Sequence, residues 1–557
     1  MGRFYFGVEI TWLVFIFAIS CRKEPVKYPA PPAPISLTAA TINELTFTEN
    51  SGINNKPVIS FRFSRPVKQS SVTTGITLSD ANGAATSFTS TLSNGDSVIT
   101  IHPVALNYLT KYTVTIATSL ESKDGGKLSS PQTKVFATGI DSSRKFPAIT
   151  DAELLTKVQQ QTFKYFWDFA HPTSGLAREG SKHSANTVTT GGSGFGIMAI
   201  VVGVERSFIT RPDAVQRVQA IVDFLSQKCQ RWHGAFSHWI DGETGATIAF
   251  GNNNGADIVE TSFLMQGMLT ARQYFNRSSA SESNLRDSIN KLWNAVEWNK
   301  FTQNGAWQSL YWQYNPTGTD TWNIPVSGWN EALITYVLAA SSNNHSITKE
   351  VYDMGWARNG AMKNGATYYN YVLPLGPNLG GPLFFEHYSF LGLNPTNISD
   401  VYAKYSEQTT NHTLINYNYC KANPMGWYGY SDSVWGLTAS NIRNGYKASS
   451  PTNDLGYIAP TAAISSIPYT PNESMAALKF YYYVLGDQLW GDYGFTDAFT
   501  LDVLKNNGAW FADSYLAIDQ GPIIAMIENH RTGLLWNLFM SAPEVQAGLA
   551  KLGFAGV

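Results

Sequence analysis

The sequence predicts a mainly α-helical protein, a toroid of paired helices preceded by a small all-β sandwich of the immunoglobulin-like (Ig-like) type. Three observations support this fold class. Residues 36–140 contain short β-branched runs separated by turn dipeptides. After residue 140, amphipathic helical segments alternate with segments that are apolar nearly all round. Several apolar segments follow polar or glycine-rich loops, which would gather at one end of such a ring.

The first 21 residues indicate a lipoprotein signal peptide. Arg3 precedes an apolar run over residues 12–19, which is too short to cross a bilayer and is followed closely by Cys21. Cys21 is the expected site of lipid attachment, and residues 22–35, charged and then proline-rich, form the expected linker. We therefore expect a secreted lipoprotein, held in the periplasm or at the outer membrane of a Gram-negative bacterium.

Residues 36–140 predict the Ig-like β-sandwich. Residues 58–63 and 112–116 alternate in polarity or are β-branched, and turn signals such as Asn82-Gly83 separate such runs. About a hundred residues of short strands is the size of an Ig-like domain. The region resembles the bacterial Ig-like modules of secreted proteins, which mostly act as spacers, and it contains no cluster of side chains suited to catalysis.

Residues 145–557 predict the helical domain, in which two kinds of segment alternate. The amphipathic segments, which would cover the core, are residues 151–169, 213–231 and 281–298. The segments that are apolar nearly all round, which would lie inside it, are residues 195–204, 258–271, 331–340 and 522–527. Alternation of this kind predicts two concentric rings of helices.

The composition favours a neutral, polyhydroxylated ligand. Of the 557 residues, 14% are charged and 13% are aromatic, and the formal net charge is -2. This charge gives no electrostatic basis for binding nucleic acid or an anionic membrane surface. No histidine and cysteine cluster has metal-ligand spacing, so we expect no metal and no cofactor. Cys229 and Cys420 could form a disulfide or remain as buried free thiols.

Four carboxyl groups stand where predicted inner helices begin: Asp257, Glu260, Glu331 and Asp519. Glycoside hydrolysis needs one carboxyl that protonates the leaving oxygen and a second that activates water or attacks the anomeric carbon. Desolvation at an apolar helix mouth raises the pKa of a carboxyl group, and Glu331 fits this environment well. A structural alternative remains for each acid. Asp257 and Glu260 match a capping box, Glu331 could interact with the helix dipole, and Asp519 could be an N-cap.

A second set of residues is predicted to contact substrate through aromatic rings and polar groups near the same loops. One of them, His387, could instead be a satisfied structural histidine. The candidate substrate-binding residues are Asn253, Trp239, Asp241, Trp312, Trp329, Glu386, His387, Trp435 and Gln520.

Four long runs resemble a known family: GSGFGIMA at residues 192–199, GADIVET at 255–261, WGLTAS at 435–440 and DSYLAIDQGP at 513–522. They are similar to the bacterial glucoamylase-like (glycoamylase) domain, whose members include the β-1,2-glucanases of glycoside hydrolase family 144. The resemblance extends over about residues 151–554. It implies an (α/α)6 barrel and metal-independent hydrolysis with inversion at the anomeric carbon. It also implies β-1,2-glucan or its oligosaccharides as substrate, with sophorose among the products.

The resemblance also assigns roles to the acids. The important acids of the family correspond to Asp257, Glu260 and Glu331, with Asp519 as a further candidate. Within this set, we expect Glu331 to be the general acid and either Asp257 or Asp519 the base, with a water chain as one route for the proton. Glu260 and the tryptophans would then hold the glucosyl units. Residues 252–254 are all asparagine where the family tends to have an acid. Substrate contacts near that loop, or the choice between endo and exo cleavage, are therefore expected to differ.

Three other functions are alternatives to hydrolysis of a β-1,2-glucan. A lipoprotein that captures glycans would use the same aromatic residues but would not need four acids at helix mouths. A glycosidase acting on another glucan would keep the same site. A polysaccharide lyase is disfavoured, because lyases act on uronic acids and usually need cationic groups, which are scarce in these loops. We expect the protein to be a monomer.

Overall fold

The structure of the protein is a computed structural model that describes residues 28–317 and 321–556, together with residues 2, 7–9 and 11. Cys21, most of the predicted signal peptide and the first part of the predicted linker lie outside the described residues. Among the helices that are described, none has both the length and the apolar character needed to cross a membrane.

The N-terminal domain is a sandwich of two β-sheets, as the sequence predicts. Its strands are β1 (Leu37–Ile42), β2 (Leu45–Thr46), β3 (Glu49–Ile53), β4 (Ile59–Phe63), β5 (Ile76–Asp80), β6 (Phe88–Ser93), β7 (Val98–Pro103), β8 (Lys111–Ile116) and β9 (Gln132–Thr138), with one short helix, α1 (Val72–Gly75). One sheet has the order β2-β1-β4-β7-β6, and the other has the order β3-β9-β8-β5. Strands β3 and β9 pair in parallel and the other neighbours are antiparallel. Alternate side chains such as Phe61 and Val114 fill the space between the sheets.

The C-terminal domain is built mainly from helices. They are α2 (Asp151–Trp167), α3 (Thr190–Glu205), α4 (Arg211–Gln227), α5 (Ile258–Tyr274), α6 (Ala280–Asn294), α7 (Leu333–Ser341), α8 (Lys349–Val351), α9 (Tyr405–Ala422), α10 (Pro460–Ser465), α11 (Pro471–Tyr483), α12 (Gly486–Leu489), α13 (Ala517–Thr532), α14 (Leu534–Met540) and α15 (Pro543–Leu552). Helices α3, α5, α7, α10 and α13 are buried on nearly every face, whereas α2, α4, α6 and α11 each bury one face only. This division into inner and outer helices confirms the predicted toroid.

The inner ring has a sixth position, which comes between α7 and α10 in chain order. It holds two short 3-10 turns, Leu383–Glu386 and Ser389–Leu391, instead of a regular helix. The backbone N–H of Ile334 on α7 donates to Ser389 Oγ at 3.0 Å. On the other side, His387 Nε2 and Ser466 Oγ, just after α10, are 3.0 Å apart. These bonds join the turns to both neighbouring inner helices, so the inner ring closes through them.

Two glycines set the close contact between α3 and α5. A Cβ atom on Gly194 would lie 2.1 Å from the carbonyl oxygen of Phe263, and one on Gly267 would lie 2.1 Å from the carbonyl oxygen of Gly194. No side chain fits at either position, so only glycine allows the two helix backbones to approach this closely.

Short strands lie between the helices and were not predicted from the sequence. They are β10 (Thr187–Thr189), β11 (Trp239–Asp241), β12 (Thr247–Ile248), β13 (Ala256–Asp257), β14 (Tyr311–Tyr314), β15 (Trp322–Pro325), β16 (Thr367–Tyr368), β17 (Tyr371–Val372), β18 (Ala439–Ile442), β19 (Gly445–Ala448), β20 (Trp490–Gly491), β21 (Gly494–Phe495), β22 (Phe499–Thr500) and β23 (Trp510–Phe511). Strands β10 and β13 run directly into the inner helices α3 and α5, and so they fix where those helices begin.

The two domains contact each other through Tyr428. Its hydroxyl oxygen accepts a hydrogen bond from the backbone N–H of Ile140 at 3.2 Å. A Cβ atom on Gly52 of the sandwich would lie 2.5 Å from the Tyr428 ring, so the ring packs directly on that backbone.

Cys229 and Cys420 are both free and buried, which decides between the disulfide and the free thiols that the sequence left open.

Candidate active site

Asp257 is the N-cap of inner helix α5. Its Oδ1 accepts hydrogen bonds from the backbone N–H groups of Val259 (3.1 Å) and Glu260 (3.0 Å), and its Oδ2 lies 2.9 Å from Nδ1 of His238. The residue is fully buried. Asp257 is therefore the cap that the capping-box alternative predicts, but Glu260 does not complete the box, because the backbone N–H of Asp257 donates to the carbonyl oxygen of Phe236. Both carboxylate oxygens of Asp257 already have partners that hold them in place.

The His238 ring balances part of the negative charge at this helix end. Burial works against its protonation, but the charge of Glu260 and the hydrogen bond to Asp257 raise the pKa of His238 to about 9. The ring also stacks on Phe250, with centroids 3.8 Å apart. A protonated His238 therefore supports the site by holding the Asp257 side chain in place.

Glu260 points from the first turn of α5 towards the start of α3. Its Oε2 accepts a hydrogen bond of 2.6 Å from the backbone N–H of Gly191. A Cβ atom on Gly191 would lie 2.6 Å from that same oxygen, so a glycine is required there. Burial and the charges of Asp257 and Glu179 raise the pKa of Glu260 to about 7, although His238 opposes the shift.

Glu331 immediately precedes inner helix α7 and is only partly buried. Its carbonyl oxygen is held by the hydroxyl of Ser389, while its carboxyl group receives a hydrogen bond only from its own backbone N–H among the described residues. Burial, followed by the charges of Glu260 and Asp257, raises the pKa of Glu331 to about 7. Glu331 is thus a carboxyl group that can hold a proton near neutral pH and has no fixed partner for it.

Asp519 lies in the first turn of α13, whose N-cap is Leu516, so the N-cap alternative for Asp519 is wrong. Its carbonyl oxygen accepts a hydrogen bond of 2.8 Å from Thr461 Oγ1 on α10. Both of its carboxyl oxygens are buried and receive no hydrogen bond from a donor group within the described chain. Burial and the neighbouring Asp497 raise the pKa of Asp519 well above its usual range.

Asp497 is an acid of the site that sequence reasoning missed. It lies between β21 and β22, and its Oδ2 accepts a hydrogen bond of 2.6 Å from the backbone N–H of Asn441. Burial raises the pKa of Asp497 to about 6, although a hydrogen bond from Asp519 opposes the shift. The only signal in the sequence was an acid within the otherwise apolar and aromatic run around β21 and β22.

Glu179 and Tyr446 were also missed, and they connect the two groups of acids. The charge of Glu179 contributes to the raised pKa of both Glu260 and Asp519. Tyr446, on β19, is 49% exposed. Its hydroxyl nevertheless lies deep enough that desolvation, and then the charges of Asp519, Asp497, Glu179 and Glu331, raise its pKa well above the usual range. The acids of α5, α7 and α13 therefore face one region at one end of the ring.

Three predicted substrate contacts belong instead to the wall of the barrel. Glu386 Oε1 accepts hydrogen bonds from Trp329 Nε1 (2.9 Å) and Gln408 Nε2 (2.8 Å), and it lies 2.8 Å from His412 Nδ1. Glu386 and His387 are essentially inaccessible to solvent, and burial lowers the pKa of His387 to about 3. The three side chains are thus held within the wall of the barrel, and contact of Trp329, Glu386 and His387 with substrate stays a prediction.

Trp435 and Gln520 are likewise inside the protein. Trp435 is fully buried, and its Nε1 donates to the carbonyl oxygen of Glu473 at 3.3 Å. Gln520 is 1% exposed, and its Nε2 donates to the carbonyl oxygen of Phe495 at 2.9 Å. Both residues therefore support the inner ring, and their contact with substrate stays a prediction.

Asn253 and Asp241 stabilise loops. Asn253 accepts a hydrogen bond from the backbone N–H of Gly255 (3.0 Å) and donates to the carbonyl oxygen of Ala256 (3.2 Å), so it fixes the loop before Asp257. Asp241 Oδ1 accepts a hydrogen bond of 2.8 Å from the backbone N–H of Thr244 in a tight turn. Both side chains are thus used for local structure, and their direct part in binding stays a prediction.

Trp239 and Trp312 remain candidates for substrate contact, because both rings are partly exposed. Trp239 lies edge-on to Phe250, with centroids 5.0 Å apart, and its indole N–H has no partner among the described residues. Trp312 lies on β14, the strand that pairs with Asp257 through its next residue, Gln313.

Replacement of Asp257 tests its role as a cap. Asp257→Ala is expected to lower the free energy of unfolding by about 2–4 kcal/mol, because the helix loses its cap and buried His238 loses its acceptor. Asp257→Asn keeps an oxygen for the cap but also removes the acceptor of His238, so it should cost less than Asp257→Ala by about 1 kcal/mol, the contribution of the cap. Chemical denaturation measures both, and Thr150→Ala, which removes the cap of α2, provides a control remote from the site. An equal loss for the two Asp257 variants would contradict the capping role.

A ring of inner helices that brings buried, proton-holding carboxyl groups to one end, with aromatic rings beside them, is the arrangement expected of a glycoside hydrolase of the helical-toroid class. Comparison with known proteins agrees with this class. Residues 323–543 match the family model described as "Putative glucoamylase", and residues 37–138 match that of a bacterial Ig-like domain.

The similar solved structures include an endo-β-1,2-glucanase from Chitinophaga pinensis in complex with sophorotriose and glucose. It is 48% identical, with 73% of this chain and 99% of that chain covered and a TM-score of 0.70. A β-1,2-glucanase from Parabacteroides distasonis is 38% identical, with 94% of this chain and 74% of that chain covered and a TM-score of 0.70. The chain therefore belongs to the glucoamylase-like family, as the sequence motifs indicated.

A curated relative is the exo-β-1,2-glucooligosaccharide sophorohydrolase (non-reducing end) of Parabacteroides distasonis. It is 47% identical over 425 residues, which are 72% of this chain. The match spans 58% of the length of that relative.

Proposed function

We propose that this protein hydrolyses β-1,2-glucan or its oligosaccharides, with Glu331 as general acid and Asp519 as the group that activates water. The observation that carries the proposal is the convergence of a proton-holding Glu331 and a buried Asp519 on one end of the ring. The relatives named for β-1,2-glucan cleavage support the substrate class.

Glu331 suits the role of acid because its carboxyl group combines a raised pKa with freedom from fixed partners. The glycosidic oxygen needs a proton as the bond to the anomeric carbon breaks, since the departing sugar alkoxide is otherwise a poor leaving group. A carboxyl group that is still protonated near neutral pH can supply this proton.

Asp519 is the better of the two candidate bases because both oxygens of Asp257 are occupied by the helix cap and His238. Water would attack the anomeric carbon from the face opposite the leaving oxygen and give up a proton to Asp519. One C–O bond forms while the glycosidic C–O bond breaks, so the configuration at the anomeric carbon inverts. Glu260, Trp239 and Trp312 would hold the glucosyl units on either side.

The pH dependence of kcat/KM should show the acid directly. Glu331 must be protonated to act, and its protonated fraction falls as the pH rises through its pKa of about 7. We therefore expect kcat/KM on a β-1,2-glucooligosaccharide to decline above about pH 7, tenfold per pH unit in the limit. Thermal unfolding over the same pH range is the control for loss of structure. Activity that stays constant up to pH 9 would exclude Glu331 as the acid.

The substrate is tested by incubating the protein with linear β-1,2-glucan and, separately, with starch. Reducing oligosaccharides, sophorose among them, are expected from the first polymer and none from the second. Proton NMR of the first product formed should show the α-anomer, as inversion requires. Release from starch alone would reject the substrate but retain the class of enzyme, and binding without any release would favour glycan capture.

We further propose that a lipid on Cys21 holds the protein at the membrane and that it works as a monomer in the periplasm or at the outer membrane. The apolar run before Cys21 and the proline-rich residues after it support the anchor.

A further inference from the structure

Asp497 and Asp519 are two buried carboxyl groups joined by a side-chain hydrogen bond. Asp497 Oδ1 and both carboxyl oxygens of Asp519 are buried and have no hydrogen-bond donor among the described residues outside the pair. Neither side chain makes an ion pair within the described residues. Two touching carboxyl groups in a desolvated site cannot both ionise without a large cost, so a single proton between them is the favoured state.

The two members of the pair are held differently. Asp497 Oδ2 accepts the 2.6 Å bond from the backbone N–H of Asn441, and its own backbone N–H donates to the carbonyl oxygen of Ser514 at 3.0 Å. The side chain of Asn441 in turn donates to Ser514 Oγ at 2.9 Å. Asp497 is therefore fixed and stabilised as the anion, whereas Asp519 has no donor of its own and carries the proton.

Among the described residues, the groups around the pair supply no positive charge that would let both carboxyl groups ionise. Burial raises the pKa of both acids, that of Asp497 to about 6 and that of Asp519 well above its usual range. The ionisable groups that interact with the pair are Glu179, Tyr165, Tyr388 and Tyr446. All four are acids, and an added negative charge would favour retention of the shared proton.

We infer that Asp497 is a positioning residue that shares one proton with Asp519, and that this dyad, rather than Asp519 alone, accepts the proton of the attacking water. The inference rests on the proposed function. When water attacks, its proton passes to Asp519 while the proton of Asp519 moves to Asp497. The C–O bond to water forms, the glycosidic C–O bond breaks, and the leaving oxygen takes the proton of Glu331. The dyad ends neutral and Glu331 ionised, and solvent restores both.

Infrared spectroscopy tests the shared proton without any substrate. The wild-type protein should show a protonated carboxyl band, sensitive to exchange in D2O, that persists above pH 8, where Glu260 and Glu331 are mostly ionised. In Asp519→Asn this band should be absent. In Asp497→Asn its titration midpoint should fall by at least about one pH unit, because Asp519 no longer loses its proton beside an anion. Glu331→Gln should leave the band unchanged.

Kinetics provide the second readout. Asp497→Asn should lower kcat by a factor on the order of 10², with KM little changed, because the amide cannot take up the proton. The double variant Asp497→Asn/Asp519→Asn should be no slower than Asp519→Asn alone, since the two groups act as a unit. Asp502→Asn is the matched control. Asp502 is equally buried, but both of its carboxyl oxygens accept hydrogen bonds from backbone N–H groups. It should change neither the band nor kcat.

The inference is overturned if the band titrates at the same pH in Asp497→Asn as in the wild type, or if that variant keeps wild-type kcat. The side-chain oxygen of the amide introduced by Asp497→Asn can still accept the hydrogen bond from Asn441, and thermal unfolding checks that the variant folds. If Asp497→Asn does not fold, Asp497→Ser provides the same comparison. Failure of the wild-type protein to cleave any β-1,2-glucan would reject the proposed function, while the infrared result would still decide the shared proton.

Discussion

Glu331→Gln is expected to lower kcat on β-1,2-glucooligosaccharides by a factor on the order of 10³, with little change in KM. The amide has the same shape as the acid but has no proton to give to the glycosidic oxygen, and general acid catalysis contributes about 10²–10⁴ to the rate. Binding should survive, because the Glu331 carboxyl group receives no hydrogen bond from another described residue whose loss would disturb the site.

The leaving group separates this role from a structural one. An aryl β-sophoroside with a nitrophenolate leaving group needs no proton donor, so Glu331→Gln should lose far less activity on it than on the natural linkage. Glu407→Gln, at an exposed glutamate on α9, is the matched control and should behave as wild type on both substrates. Equal losses on the two substrates would show that Glu331 does not donate the proton.

Asp519→Asn is expected to produce a loss of similar size, on the order of 10³ in kcat, for the opposite reason. The protonated leaving oxygen would still depart, but the attacking water would have no acceptor for its proton. The decline of kcat/KM above about pH 7 should remain, because Glu331 is intact.

Azide tests this assignment, because it attacks carbon without having to lose a proton. Added azide should restore turnover of Asp519→Asn and give a glycosyl azide of inverted configuration, and it should not restore Glu331→Gln on the natural linkage. Asp513→Asn changes an exposed aspartate nearby in sequence, paired with Lys182, and should leave kcat unchanged. An Asp519→Asn variant within a few-fold of the wild-type kcat would contradict the role of Asp519 as the proton acceptor.

The acids at helix starts could be predicted because their signal is local. Asp257, Glu260, Glu331 and Asp519 each stand before or within the first turn of an apolar segment, and helical periodicity alone shows that such a segment is buried. The pattern did not separate the cap from the proton donor. That distinction depends on His238, which is brought to Asp257 from a loop 19 residues earlier.

The aromatic and polar contacts were harder to predict, because exposure is a property of the whole fold. Trp329, Trp435 and Glu386 occur beside loops in the sequence, but tertiary packing places all three within the wall. Asp497 is the reverse case, a residue of the site that was not identified from the sequence. It lies between β21 and β22, two strands of different two-stranded sheets that are too short to show a period, and only the approach of α13 makes it part of the site.

Two elements of the inner ring were also too short to be predicted from the sequence. Helix α10 is only six residues long and the neighbouring inner position is filled by 3-10 turns, so neither has enough residues for a recognisable helical pattern. Their place in the ring comes from bonds to distant partners, such as the one between Ile334 and Ser389. The longer inner helices, in contrast, were all predicted.

The six acids of this site also act as an electrostatic filter. They are Glu179, Asp257, Glu260, Glu331, Asp497 and Asp519, and in the described chain only Asp257 has a cationic partner. Glu331 and the pair of Asp497 and Asp519 each hold a proton near neutral pH, but the carboxylates that remain ionised would repel an anionic polymer, and in a desolvated setting this repulsion costs more than it would in bulk water. Protonated iminosugars, whose ring nitrogen places a positive charge where the anomeric carbon develops one, would be drawn in by the same field. Selectivity for uncharged saccharides therefore comes with a built-in affinity for cationic mimics of the transition state.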